Sequence, residues 1–370
     1  MTKITTNQYI LIAVFCILTS KLMTMPTIVF EFAQKDAIFS IALNSVIDVC
    51  IVLCITHLIH QYPNTTFFEL LKQKLKPFFA AVAFSAISVF LLFKGVFLLQ
   101  ETISFFSLSL YENTNYWLLC IPAILSIMYI SYKGLSAIGR SIDIYWIFVF
   151  LALVILFVIS VPQVEIGANV PYFENGVTPM LNGTMHSLFY VGNGIVLLLF
   201  MGKVQQKPKI MRYTTIFCIG IGLFVIVNNF VFFNLFLNFV PYCTFAINHL
   251  SQYDPFVTEL GHIGWLSIIE STINLIFISS IYYYAVRQYI QSLLKIKNKF
   301  ISSLIVGGFY LAIIYMFDFD LYKLLYFVKN YAYWYNLCLI PIIFVLCILL
   351  NITNKNKQQT LQEVAQNAKI

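Results

Sequence analysis

Charge is what this sequence has least of. Only 10% of its 370 residues are Asp, Glu, Lys or Arg, 60% are hydrophobic, and the mean hydropathy is +0.86. A soluble domain carries about 25% charged residues, so this chain cannot cover a water-facing surface. That excludes a cytosolic enzyme, a secreted disulfide scaffold and a nucleic-acid binder. Metal and catalytic signatures are missing as well. The eight cysteines include no CxxC, and the five histidines (His57, His60, His186, His249, His262) are scattered. GxSxG, HExxH and a phosphate-cradling glycine loop are absent. Cys50 and Cys54 share a helix face, but no His or carboxylate completes a set, so the cysteines read as small core hydrophobes. No catalytic residue, metal ligand or cofactor is expected. The apolar runs also lack period-two alternation, which argues against a β-barrel.

What is present is a series of apolar runs of about 17 to 25 residues, each long enough to cross a hydrocarbon core as helix. The first run continues to Phe30 past any signal-peptide length, without a small-residue cleavage site, and reads as a span. Ten spans are predicted: Tyr9 to Phe30, Ala37 to His60, Phe78 to Leu99, Tyr116 to Tyr132, Ile142 to Val161, Met185 to Gly202, Tyr213 to Val240, His262 to Val286, Ile301 to Phe317 and Tyr331 to Leu350. The expectation is an all-α integral membrane protein, with residues 1–350 as one ten-helix transmembrane domain in contact with lipid and residues 351–370 as a polar cytoplasmic tail.

Sidedness follows from the loops. With the N-terminus inside, all but five of the 22 basic residues fall on the inner side; the exceptions are Lys21, Lys35, Lys94, Lys323 and Lys329. Such a bias is the positive-inside pattern, and it places both termini in the cytoplasm. The net charge of +7 is therefore a topology signal, not a nucleic-acid footprint. The outer loops are assigned the acids Glu31, Asp36, Glu101, Glu112, Glu165, Glu174, Asp254, Glu259, Asp318 and Asp320. The two longest outer connections, Pro162 to Thr184 and Pro241 to Gly261, are expected to form short helices or caps over a vestibule. The inner segment Gln61 to Pro77 reads as an amphipathic helix on the cytoplasmic leaflet.

Two spans, the first of each half of a five-plus-five chain, are interrupted. In the first, Thr19-Ser20-Lys21 breaks the run and Pro26 follows. In the sixth, Phe189-Tyr190-Val191-Gly192-Asn193-Gly194 sets two glycines around an asparagine. Paired interruptions of this kind mark a transporter-type site, because unwound backbone at membrane depth is tolerated where it lines a cavity. Half-helix ends offer N–H groups to a carboxylate and carbonyls to an ammonium. The competing reading is that Gly192 and Gly194 permit close helix packing and that Pro26 is an ordinary kink.

Ionisable residues at membrane depth are Lys21, Asp48, Lys94, Asp143 and Glu270, each costly there unless paired or hydrated. Lys21 has three open roles: an ion pair with Asp48 or Glu270, contact with a ligand or replacement of a coupling cation, and exposure to lipid. Lys94 is placed near the outer end, where it can snorkel, with Glu101 two turns on along the same face. Asp143 reads as a helix N-terminus charge. Ser271, Thr272, Ser279 and Ser280 offer hydroxyls from span eight, or bond their own helix.

Four ordered blocks resemble the B subunits of GerA-type spore germinant receptors. They are FAQKDAIFSIALNS (Phe32 to Ser45) after the Met25-Pro26 pair; HQYPNTTFFE (His60 to Glu69); YKGLSAIGRSIDI (Tyr132 to Ile144), with Gly134 and Arg140 in the Gly-x-x-x-x-x-Arg signature; and NVPYFENGVTPMLNG (Asn169 to Gly183). The resemblance, over about residues 5–350, implies a member of the amino acid/polyamine/organocation transporter superfamily with a LeuT-like 5+5 inverted repeat whose first and sixth helices are broken. It implies a germinant receptor subunit of the inner spore membrane that binds a small germinant, expected to be an amino acid, alongside an A subunit and a lipoprotein C subunit; an amino acid permease is the alternative. By position, the resemblance lines the ligand pocket with Ser20, Lys21 and Thr24 of span one, Phe97 of span three, Phe189, Gly192 and Asn193 of span six, and Thr272 of span eight. This chain departs from the superfamily at the first break, which carries Thr19, Ser20 and Lys21 and no glycine.

Overall fold

In the computed structural model, residues 3–109, 115–164, 167, 170–205, 209–252 and 264–347 are described. Glu112, Glu165, Asp254, Glu259, Lys207, His262 and the tail 351–370 lie outside them. The described residues form α-helices and short 3-10 segments, with one isolated β-bridge and no strand.

The helices run α1 (Thr6–Leu18), α2 (Met25–Ala33), α3 (Ala37–Gln61), α4 (Phe67–Lys74), α5 (Pro77–Ser109), α6 (Tyr116–Lys133), α7 (Leu135–Ser160), α8 (Thr178–His186), α9 (Ile210–Phe236), α10 (Ala246–Gln252), α11 (Gly264–Leu294), α12 (Lys299–Met316) and α13 (Leu321–Cys347). The last passes through a π turn at Val328–Ala332. Among the described residues, eight continuous apolar stretches are long enough to cross a membrane, and α8 with the 3-10 segment to Phe200 forms a further span bent by 51°. One of the eight, Met25–Gln61, changes course at the 3-10 turn Gln34–Asp36, where Gln34 has φ +48°. Its first part, α2, completes with α1 a broken first span, which agrees with ten crossings.

The exterior is apolar, and polar side chains are buried within a largely apolar core. On α7 the exposed residues Ile144, Phe148, Leu151, Ile155 and Val158 recur at helical spacing and form a stripe for lipid. The interior instead buries Ser40, Asn44, Asp48, Lys94, Glu101, Asn193, Asn229 and Glu270. Cys50 and Cys338 are exposed, so these two face outward and not the core expected for them.

Several boundaries differ from the sequence expectation, and some of the differences move a charge. Helix α5 has 33 residues, about 50 Å at 1.5 Å per residue, and continues ten residues past Leu99. Glu101, assigned above to an outer loop, therefore lies within this helix and is fully buried. Lys94 is only 2% exposed and does not snorkel. Helix α7 starts at Leu135, so Asp143 is two turns inside it and accepts a bond from Gln8 Nε2 at 2.6 Å instead of serving the helix terminus. Finally, α13 starts ten residues before Tyr331.

The amphipathic helix α4 is held by a capping box. Thr66 Oγ1 accepts from the Glu69 N–H, and Glu69 Oε2 accepts from the Thr66 N–H at 3.0 Å. Hydrogen bonding from the Thr66 N–H, and then from the Thr66 side chain, holds the Glu69 carboxyl below the usual carboxylate range. Thr66→Ala is expected to cost about 1 kcal/mol of local helix stability. Hydrogen exchange should then speed up across residues 67–74 and leave the spans unchanged.

Candidate functional site: two facing helix breaks

The first span stops at Leu18 and resumes at Met25. Ser20 takes a left-handed backbone, φ +61°, a conformation for which glycine is better suited. Every carbonyl freed between them has a partner, as buried backbone requires. Leu18 O accepts from Lys21 N, and Ser20 O from Met23 N and Met25 N. Asn193 Nδ2 donates to Thr19 O at 3.5 Å and Asn229 Nδ2 to Lys21 O at 3.2 Å. Leu22 O and Met23 O accept from Ile247 N and Ala246 N, both at 2.9 Å. The short helix α10 thus docks its first N–H groups onto the break.

In the sixth span α8 ends at His186, a 3-10 turn covers Leu188–Tyr190, and a second runs Asn193–Phe200. Gly192, between the two turns, has φ +84°, whereas the φ of Gly194 lies outside the left-handed region. The two glycines do different things. Gly192 supplies a left-handed residue, whereas a Cβ at Gly194 would lie 2.5 Å from Val52 Cγ2 of α3. Gly192 thus serves the turn of the break itself, and Gly194 serves close packing against α3.

Charged side chains join the breaks. Lys21 Nζ and Asp48 Oδ2 of α3 form an ion pair at 2.5 Å, essentially without solvent exposure. The other oxygen, Asp48 Oδ1, accepts from Gly192 N at 2.6 Å. Lys94 of α5 donates to Phe189 O, to Val191 O at 3.4 Å and to Asn193 Oδ1 at 3.0 Å. Glu101, two turns along α5, accepts from Ser20 Oγ at 2.7 Å, Thr24 Oγ1 at 2.6 Å and Thr24 N at 3.3 Å. Tyr282 of α11 donates to Asn193 O and Oδ1, both at 3.1 Å. Thr24 and Tyr190 hydroxyls lie 2.9 Å apart across the gap, and Phe97 packs edge-on against Phe189 and Tyr190.

Of the residues named from sequence, Ser20, Lys21, Thr24, Asp48, Phe97, Phe189, Gly192 and Asn193 converge here. Two do not join the network. The Thr272 hydroxyl has no hydrogen-bond partner. Glu270 pairs with no cation among the described residues: Asp48 holds Lys21, and Glu270 lies on the side of the break that faces Leu22 and Met23. There it accepts from Ser271 Oγ at 3.0 Å and lines a cavity of about 10 Å³ with Leu18, Ser20, Ile247 and Asn274, room for about one water. Lys94, Glu101, Tyr190 and Tyr282 are the residues the sequence reading did not assign to the site. For Lys94 and Glu101 the signal is the helical stripe Phe90, Lys94, Phe97, Glu101, which sets two charges and two rings on one face of α5.

The N-terminal end of the first span is tied to the C-terminal end of the sixth. Ile4 N donates to Lys203 O at 2.9 Å, Gln205 N to Ile4 O at 2.8 Å, and Thr6 Oγ1 to Gln205 O at 2.6 Å. The segment leading into α1 therefore closes on the segment leaving the sixth span. Among the described residues no group of three His, Cys, Asp or Glu is placed to hold a metal ion.

Similar architectures are known. The crystal structure of MhsT in complex with L-phenylalanine superposes with a TM-score of 0.67 at 15% identity, over 91% of this chain and 87% of that one. A variant of the manganese transporter of Eremococcus coleocola superposes with a TM-score of 0.60 at 10% identity, over 92% of this chain and 78% of that one. At such identities the likeness shows the fold, a LeuT-like one with broken first and sixth helices. No curated protein is significantly similar in sequence. The sequence profile described as "Spore germination protein" matches residues 3–321, a stretch that takes in both breaks and every charged residue joining them. This multi-pass, transporter-like chain belongs to the spore germination protein family.

Proposed function

We propose that this protein is a germinant receptor subunit that binds a small molecule, an amino acid, between the two helix breaks and signals to partner subunits of A and C type. The observation that carries this reading is the pair of facing breaks, with unwound backbone from two half-helices held by buried ionisable side chains of α3 and α5. Buried charge at membrane depth is expensive, and helix ends of opposite polarity are what an amino acid's two charges require. The fold is also that of a protein crystallised with L-phenylalanine, which supports a ligand of amino-acid size. Binding acts through differential affinity for two conformations. The closed ends around Ile4 and Lys203 describe one of these, and their release would be the change a partner reads.

The orientation in this reading is termini inside, in the inner spore membrane. Three of the five basic residues off the inner side support it by their pairing with outer acids: Lys35 with Glu174, Lys323 with Asp318 and Lys329 with Glu31. The other two, Lys21 and Lys94, are buried at the breaks.

The test is a thermal-shift screen of purified protein with the twenty proteinogenic amino acids. A ligand at about a hundredfold over Kd contributes about 2.7 kcal/mol, so at least one amino acid should raise Tm by several degrees; a flat response to all of them would contradict the reading. A permease with this pocket would accumulate labelled amino acid in proteoliposomes, whereas the receptor reading expects binding without accumulation.

A further inference from the structure

The charged positions of the gap are filled by the chain itself, and α5 supplies both occupants. The carboxylate of Glu101 gathers the Ser20 and Thr24 hydroxyls and the Thr24 N–H. Thr24 is the residue that caps the N-terminus of α2, so three donors and a helix dipole converge on one anion. Two turns back, the Lys94 ammonium meets Phe189 O, Val191 O and Asn193 Oδ1, acceptors only, as an ammonium needs. Backbone repair alone does not call for full charges here. In the same breaks Asn193, Asn229 and Asn336 serve the carbonyls of Thr19, Lys21 and Leu188 with neutral amides, which cost less to bury than ions. The donors and acceptors belong to the two breaks, whereas both ions sit at the ends of flexible side chains on a continuous helix that can withdraw them.

We infer that Glu101 and Lys94 stand in for the carboxylate and ammonium of the ligand, that the ligand is accordingly a zwitterionic amino acid and not an uncharged sugar or nucleoside, and that it enters by displacing the Glu101 carboxylate. This rests on the ligand-binding reading above and specifies it. Glu101 then sets the response threshold. The apparent affinity is lowered by the fraction of molecules in which the Ser20 and Thr24 donors are vacant, and removing the internal competitor restores it.

The test compares wild type, Glu101→Ala and Glu101→Gln, full length in nanodiscs, by titration with the twenty proteinogenic amino acids, isobutyrate and isobutylamine. For the amino acids that bind wild type, Glu101→Ala should lower Kd about tenfold or more. It should also gain binding of isobutyrate, which brings only a carboxylate, and gain none of isobutylamine. Glu101→Gln, which keeps the bulk but not the charge, should show a smaller gain in the same direction and carries the test if the alanine variant does not accumulate. Unchanged or weaker amino acid binding in the variants, or a gain confined to isobutylamine, would overturn the inference, since Glu101 would then be a strut or a contact for the ligand's cation. If wild type and both variants bind none of the probes, the ligand reading itself falls and takes this inference with it.

Discussion

Asp48→Ala is expected to remove most of the folded protein from the membrane. One carboxylate does two jobs at the centre of the bilayer: its Oδ2 neutralises Lys21 at 2.5 Å and its Oδ1 accepts the Gly192 N–H at 2.6 Å. Truncation would leave a buried ammonium without a counter-ion and a backbone donor without an acceptor. Breaking a buried pair from one side costs about 3–5 kcal/mol, a large share of a stability of about 5–15 kcal/mol. Accumulation, read by quantitative blot of the membrane fraction, should fall by about tenfold or more. Lys21→Met is milder, because Asp48 keeps the Gly192 bond. The double variant Lys21→Met/Asp48→Asn removes both charges and retains an oxygen for Gly192, and accumulation should recover toward wild type. Non-additivity of that sign is the signature of direct coupling. Additive losses would mean that Lys21 and Asp48 act separately.

Gly192→Leu has the opposite profile: the protein persists and the ligand response goes. At φ +84° an L-residue costs about 1–2 kcal/mol, and the new Cβ would approach Ile195 Cδ1 at 3.0 Å, the movable end of a side chain. Folding tolerates that much. The rest of the leucine side chain, however, must occupy space between the breaks, where Phe90 Cζ is already 3.8 Å from the Cβ position. The expected result is near-wild-type accumulation with loss of the thermal shift by any amino acid that binds wild type. Gly194→Ala provides the contrast. Its Cβ would meet Val52 Cγ2 at 2.5 Å, so the penalty falls on helix packing, a stability loss of about 1–3 kcal/mol. A normal dose response in Gly192→Leu would separate the gap from ligand binding.

Much of this was legible in the residues because membrane constraints are simple. Apolar length gave the spans, and the breaks announced themselves as Thr19-Ser20-Lys21 and Gly192-Asn193-Gly194, polar or flexible residues where hydrocarbon depth tolerates few. The pairing of Lys21 with Asp48 was one of three readings that the sequence left open, since one-dimensional spacing cannot say which neighbouring helix carries the counter-ion. Lys94 and Glu101 were misplaced for a definite reason. Counting apolar residues ends a helix at the first polar run, here Gln100-Glu101-Thr102, but α5 runs on for 33 residues, because its polar face looks into the protein and has no need of water. Glu270, equally deep in its span, is the alternative partner that the sequence offers Lys21 beside Asp48. Depth fixes a residue along the membrane normal and leaves its azimuth undetermined, and the azimuth turns Glu270 toward Leu22, Met23 and Ile247. Tyr282 and Tyr190 bury their rings in the core, while each hydroxyl reaches a polar group of the site.

The most direct measurement is a cryo-EM map of the protein bound to an antibody fragment, in the presence of the amino acid that gives the largest thermal shift. It should show both spans interrupted near Ser20 and Gly192, ligand density between Thr24 and Val191, and the Glu101 side chain moved off the Thr24 N–H. Continuous first and sixth helices, or ligand density lodged elsewhere with the gap still filled by Glu101 and Lys94, would contradict the account.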